Sequence, residues 1–180
     1  MPRVALQLAV AAVALAGMTA ALLAQPAAGL RWTAPAGWTT EAARPMRAAT
    51  YTIPPATGDK AAGECVVSFF GAGQGGTVEA NIDRWKGQFQ GADGKTPAGQ
   101  IATRTSRGLK ITTIDTSGSY SGMGGPMAPA GKPVPGYRLL GAIVEGPGGT
   151  VFVKFTGPAK TVAANQQKFD QMLASFQPEK

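Results

Sequence analysis

The chain has 180 residues, with 17 Lys and Arg against 10 Asp and Glu, no histidine and one cysteine. The missing histidine excludes Ser-His and Cys-His catalysis and every His-based zinc site, and a lone Cys65 excludes an intramolecular disulfide. The net charge of +7 comes from basic residues scattered singly, without the clustered stripe that nucleic-acid binding needs, so no nucleic-acid partner is expected.

Residues 1–24, MPRVALQLAVAAVALAGMTAALLA, place Arg3 ahead of an apolar stretch from about Leu8 to Leu23. That is the layout of a secretory signal peptide, with cleavage expected after Ala24. A single domain spanning 25–180 then works outside the cytoplasm, periplasmic or secreted. Val4 to Ala24 is also long enough, at about 20 residues, to span a bilayer. An uncleaved anchor is therefore the alternative, and the only membrane association expected.

"GLRWTAPAGWTT" reads as a short strand and a Pro-Ala-Gly turn ahead of Trp38, and "MRAATYTIPP" as an alternating strand stopped by Pro54 and Pro55. "ECVVSFFG" is apolar enough for a central strand, with Cys65 as a small buried side chain. A helix is expected from about Val78 to Gln90, because Val78, Ile82, Trp85 and Phe89 fall on one helical face and Thr77 suits the N-cap.

Between that strand and that helix lies Gly71-Ala72-Gly73-Gln74-Gly75-Gly76, which spells G-x-G-x-x-G. A dinucleotide fingerprint also needs a βαβ unit and an acidic residue near the end of its second strand. Asp93 stands at about the right distance, but in the turn "GADGKTPAG". The favoured reading is a link whose glycines supply positive φ. Anion or nucleotide binding at the Gly71–Thr77 loop, through the N–H groups of Gly75, Gly76 and Thr77, is the minor alternative.

"IATRTSRGLKITTIDTSGSY" reads as two strands around a turn near Ser106-Arg107-Gly108. Its end, "GSYSG", resembles a hydrolase elbow only in spacing, since Tyr120 replaces the serine. The following "SGMGGPMAPAGKPVPG" is long and Gly/Pro-rich, the composition of a binding loop, with Met123 and Met127 as candidate contacts. Two methionines without histidine or a nearby cysteine make a poor copper site, so no metal and no cofactor are expected. "YRLLGAIVEG" and "TVFVKFTG" form a hairpin around Pro147-Gly148-Gly149. A closing helix, "PAKTVAANQQKFDQMLASF", puts Val162, Gln166, Phe169, Leu173 and Phe176 on one face.

Consecutive strands with two distant helices define an α+β class, an antiparallel sheet packed by helices. Residues 137–176, with the "KFTGP" turn and a helix closing in "FDQMLASF", together with the early "PAGW", resemble the PsbP-like domains. Those domains share their fold with a Ran-binding nuclear import factor. The resemblance implies an α/β/α sandwich and an accessory or binding role rather than an enzyme, as PsbP itself assists the oxygen-evolving complex. It transfers no catalytic or metal residue, and the chain has no lipobox cysteine near the leader.

The function expected is thus a non-enzymatic exported domain that binds a protein partner or a small ligand. Its candidate surface is framed by 71–77 and 117–136, with Gly73, Gly75, Gly76, Thr77, Tyr120, Met123 and Met127 as contacts. The rival is an envelope enzyme that pairs the carboxylates of Asp115 and Glu145 as acid and base.

Overall fold

The computed structural model describes residues 26–42, 44–122 and 132–179. In chain order its elements are β1 (Leu30–Arg31), β2 (Thr39–Thr40), β3 (Arg47–Ile53), β4 (Gly63–Phe69), α1 (Val78–Lys86), β5 (Phe89–Gln90), β6 (Gln100–Ser106), β7 (Leu109–Tyr120), β8 (Val134–Gly146), β9 (Gly149–Pro158), α2 (Ala159–Ser175) and β10 (Gln177–Pro178). Eight strands form one sheet in the order β2-β3-β4-β9-β8-β7-β5, with β6 pairing β7 as well. Each pairing is antiparallel.

The strand period of two assigns side chains to two layers. On β9, Val151, Val153 and Phe155 face α2 and pack with its Val162, Phe169 and Leu173. The intervening Phe152 faces α1 and packs with Ile82 and Trp85. The result is an α/β/α sandwich with a larger core under α2 and a smaller one under α1.

Hairpin chemistry sets the long strands. Arg107 and Gly108 both take positive φ, 50° and 78°, the requirement of a two-residue loop that matches sheet twist. On the β8–β9 side, Gly146 pairs with Gly149 around Pro147-Gly148. Gly141 has a packing role: a Cβ there would stand 2.5 Å from the Trp85 ring, so its absence lets α1 lie directly on β8.

The termini of the described chain close the α2 layer. β1 pairs with β10, Trp32 stacks on Phe176 at 5.1 Å, and the Trp32 indole N–H donates to Tyr51 Oη at 3.0 Å. Cys65 lies in the same core with no exposed surface, and burial pushes its thiol pKa up. No described helix is long and apolar enough to cross a membrane.

One helix boundary differs from expectation. α1 stops at Lys86 rather than Gln90, because Gly87 caps it, its N–H donating to the Asp83 carbonyl at 2.9 Å. Phe89 is buried as expected, but from β5, which pairs with the end of β7.

Candidate binding site

α1 has nine residues and α2 has seventeen, so the two faces of the sheet are covered unequally. On the α1 side the helix sits over β7 and β8, and the neighbouring surface of β4 and β9 is left as a recess of about 430 Å³. Strand alternation builds its floor from Glu64, Val66 and Ser68 of β4 and Phe152, Lys154 and Thr156 of β9. Arg84 and Trp85 of α1 form one wall, Met46 and Arg47 the opposite one, and Phe70 and Tyr120 complete it. Phe70 and Met46 keep 38% and 67% of their surface exposed.

Lys154 is the chemical centre of the recess. Its ammonium donates to Gln88 Oε1 and to Tyr120 Oη, the latter at 3.2 Å, and stands 5.3 Å from the Tyr120 ring centroid. Among the described residues no carboxylate is within ion-pair distance of it. Glu64 belongs to Arg47, at 2.8 Å. Burial pushes the Lys154 pKa down to about 8; Glu64 pulls it up, and Arg84 and Arg47 push it further down. A buried ammonium without a counter-charge is a costly arrangement to keep.

Tyr120 is held by rings on either side, stacked on Tyr137 at 5.5 Å and tilted against Phe89 at 5.0 Å. Burial raises its pKa, and the charge of Glu64 and the neighbouring Tyr137 add to this, so it enters as a neutral phenol. Gln88 is buried, and its amide Nε2 has no hydrogen-bond partner among the described residues.

The glycine loop lies beside this recess. Gly75 takes φ +96°, and a Cβ on it would stand 2.6 Å from the Phe152 ring, so glycine is needed there for both conformation and packing. Asn81 Nδ2 donates to the carbonyls of Gly75 and Thr77 at 2.7 and 2.8 Å, and Thr77 Oγ1 accepts from the Ala80 N–H as the helix cap. Gly76 sits against Asn81, and Gly73 faces open space. The dinucleotide reading of this loop fails on topology, since both neighbours of β4 run antiparallel to it and α1 leads into β5, not a parallel crossover strand.

Of the residues singled out from sequence, Tyr120 lines the recess, Gly75 packs behind its Phe70–Phe152 side, and Gly73, Gly76 and Thr77 stand outside it. Met123 and Met127 lie outside the described residues.

The Asp115–Glu145 pairing is overturned. Glu145 stands opposite Lys110 and Asp115 opposite Leu140. Five positions along a strand separate them by roughly 17 Å and put them on opposite faces. Each carboxylate has its own cation: Arg138 grips Asp115 at 2.8 and 2.6 Å, and Lys110 holds Glu145 at 3.0 Å.

Lys154, Arg47, Glu64 and Arg84 were not anticipated from the sequence. A signal for Lys154 exists in "TVFVKFTG", where the one charge sits on the same strand face as Phe152.

No protein-family model matches the chain, and no curated protein matches it in sequence. Among solved structures it is similar to cyanobacterial PsbP (CyanoP) from Synechocystis sp. PCC 6803, with a TM-score of 0.51 at 12% identity, over 92% of this chain and 98% of that one. It is also similar to the Pseudomonas aeruginosa protein of unknown function PA94, with a TM-score of 0.49 at 13% identity, over 83% of this chain and 92% of that one. The α+β sandwich described above is thus a PsbP-like fold.

Proposed function

We propose that the chain is an exported, non-enzymatic accessory domain, released from its leader after Ala24, that binds a small ligand in the recess between α1 and β4–β9. The observation that supports this reading is the largely buried Lys154 ammonium, which has no carboxylate partner among the described residues, at the centre of a 430 Å³ recess lined by Val66, Phe70, Trp85 and Phe152. Pre-formed small-molecule sites fall in a range of about 300–1,000 Å³ and combine apolar walls with a few placed polar groups. The separation of Asp115 from Glu145 favours binding over carboxylate catalysis. A protein partner is the second reading, favoured by Met46 and Phe70, which stand exposed at the rim.

The test is a thermal-unfolding screen of the purified protein against small polar and amphipathic compounds, repeated on Val66→Trp, which fills the recess. A ligand at about 100 times its Kd adds roughly 2.7 kcal/mol of stability, and the melting temperature should rise in the wild type by about 5–10 °C. The filled variant should show no rise. An equal rise in both proteins would place binding elsewhere.

A further inference from the structure

The charged groups around the recess are mostly cationic, and its hydroxyls can donate. Lys154 has two of its three N–H bonds engaged, by Gln88 and Tyr120. Tyr120 accepts from Lys154, which leaves its own O–H to donate. Among the described residues Thr156 Oγ1 has no hydrogen-bond partner. Arg84 reaches only Asn81 Oδ1 and forms no ion pair among the described residues. The single carboxylate of the lining, Glu64, is engaged by Arg47. Three cations against one carboxylate leave the recess with a positive excess.

The apolar part is equally one-sided. Val66 and Phe152 line the floor, Phe70 tilts against Phe152 at 5.5 Å, and Met46 stands exposed beside them. A simple inorganic anion would leave these surfaces wet, and a neutral apolar molecule would leave the ammonium buried and unpaired.

We propose that the occupant is a small amphipathic anion, its acidic group held by Lys154, Tyr120 and Arg84 and its apolar body lying on Val66, Phe70 and Phe152. This rests on the reading of the recess as a ligand site and adds the chemical class of the ligand. Binding also has a pH signature. The groups acting on Lys154 are Glu64 from β4, Arg47 from β3, Arg84 from α1 and Tyr120 from β7, with Gln88 as neutral acceptor. Lys154 loses its proton as pH rises past about 8, so affinity for an anion weakens above that point.

Two dyes separate the class from the site: 8-anilinonaphthalene-1-sulfonate, and N-phenyl-1-naphthylamine, which has the same ring system without the sulfonate. Fluorescence titration near neutral pH should show the sulfonate binding at least about tenfold tighter, the scale of one charged hydrogen-bonded contact. Lys154→Met, which keeps the apolar stem, should cut that preference to about threefold, the share left to Arg84, and leave the neutral dye within about twofold. Arg84→Gln, on the exposed side of α1, should reduce the preference by about threefold and serves as the second probe of charge. In the wild type the preference should shrink as pH is raised above 8, and in Lys154→Met it should not depend on pH. Equal binding of both dyes by the wild type, or a preference untouched by both variants, would overturn the anion proposal while the ligand site stands. Binding of neither dye would overturn the site and the anion together.

Discussion

Lys154 links the strand pattern, the energetics and the proposed function. It occupies the α1-facing side of β9, opposite Val66 of β4, at a position where the sandwich covers most of it. Burial lowers its folded pKa from 10.5 to about 8. Between those values the unfolded chain still holds a proton that the folded chain has released, so stability rises with pH across that window and the penalty is fully present below it. Urea unfolding at about pH 7.5 and about pH 9.5 should show the wild type gaining roughly 2 kcal/mol from this group. Lys154→Met should lose that gain and be the more stable protein at the lower pH. A slope unchanged in the variant would assign it to other groups. Cys65, whose pKa burial pushes up, acts in the opposite direction as pH passes its ordinary value of 9.0, and Tyr51, pushed up to about 12, does so past 10.0, so the Lys154 gain is read as the difference between the wild type and Lys154→Met.

Legibility at this scale followed neighbourhood. Cys65 could be read as buried because its own run is apolar, and the strand indeed puts it in the core. Lys154 left only the weak signal of sharing a strand face with Phe152, because a lone lysine in an alternating strand also has the pattern of a solvent-facing residue. Only the placement of α1 and the Gly75 loop over that face encloses it.

At the scale of elements, the two helices begin in different ways. α1 carries its own cap in Thr77, a local feature visible in the sequence. α2 starts at Pro158, which supplies no side-chain cap. Its missing partner comes from the loop after β3: Asp59 Oδ2 accepts from the Thr161 N–H at 2.8 Å and from its hydroxyl at 2.6 Å. The carboxylate also lies at the positive end of the helix dipole. Asp59→Ala removes an acceptor from a fully buried threonine and should cost about 1–3 kcal/mol in urea unfolding. Asp59→Asn, which keeps an acceptor, should cost less than half as much. Equal losses in the two variants would mean that charge, not the hydrogen bonds, does the capping.

This cap spans about a hundred positions of sequence, so no local motif announces it. The hairpins were legible for the converse reason. Arg107-Gly108 and Pro147-Gly148 are short Gly-containing turns between strand-like runs, and turn chemistry there is local. The end of α1 was misread because Phe89 continues the helical spacing, while Gly87 stops the helix and the chain turns to pair with β7. Asp115 and Glu145 show the same limit. Their separation depends on the β7–β8 register, which puts them five positions apart on opposite faces.

On the scale of the whole molecule, the two layers are unequal. The long helix, the stacked Trp32 and Phe176, and the β1–β10 pair seal one face of the sheet. The short helix and the glycine loop cover only part of the other, and the uncovered part holds the recess. The G-x-G-x-x-G spacing thus finds its explanation in packing: the loop must pass close over Phe152 at Gly75 and still turn into α1. The similarity to cyanobacterial PsbP speaks to this architecture alone.

The central claim is that the α1 face is the binding face. The most direct measurement is a two-dimensional ¹H–¹⁵N NMR titration of the protein with 8-anilinonaphthalene-1-sulfonate. The perturbed amides should cluster at Val66, Ser68 and Phe70, at Arg84 and Trp85, at Tyr120, and at Phe152 to Thr156, all around the recess. Perturbations confined to the α2 side, around Ile101, Asp115, Gln166 and Asp170, would contradict it.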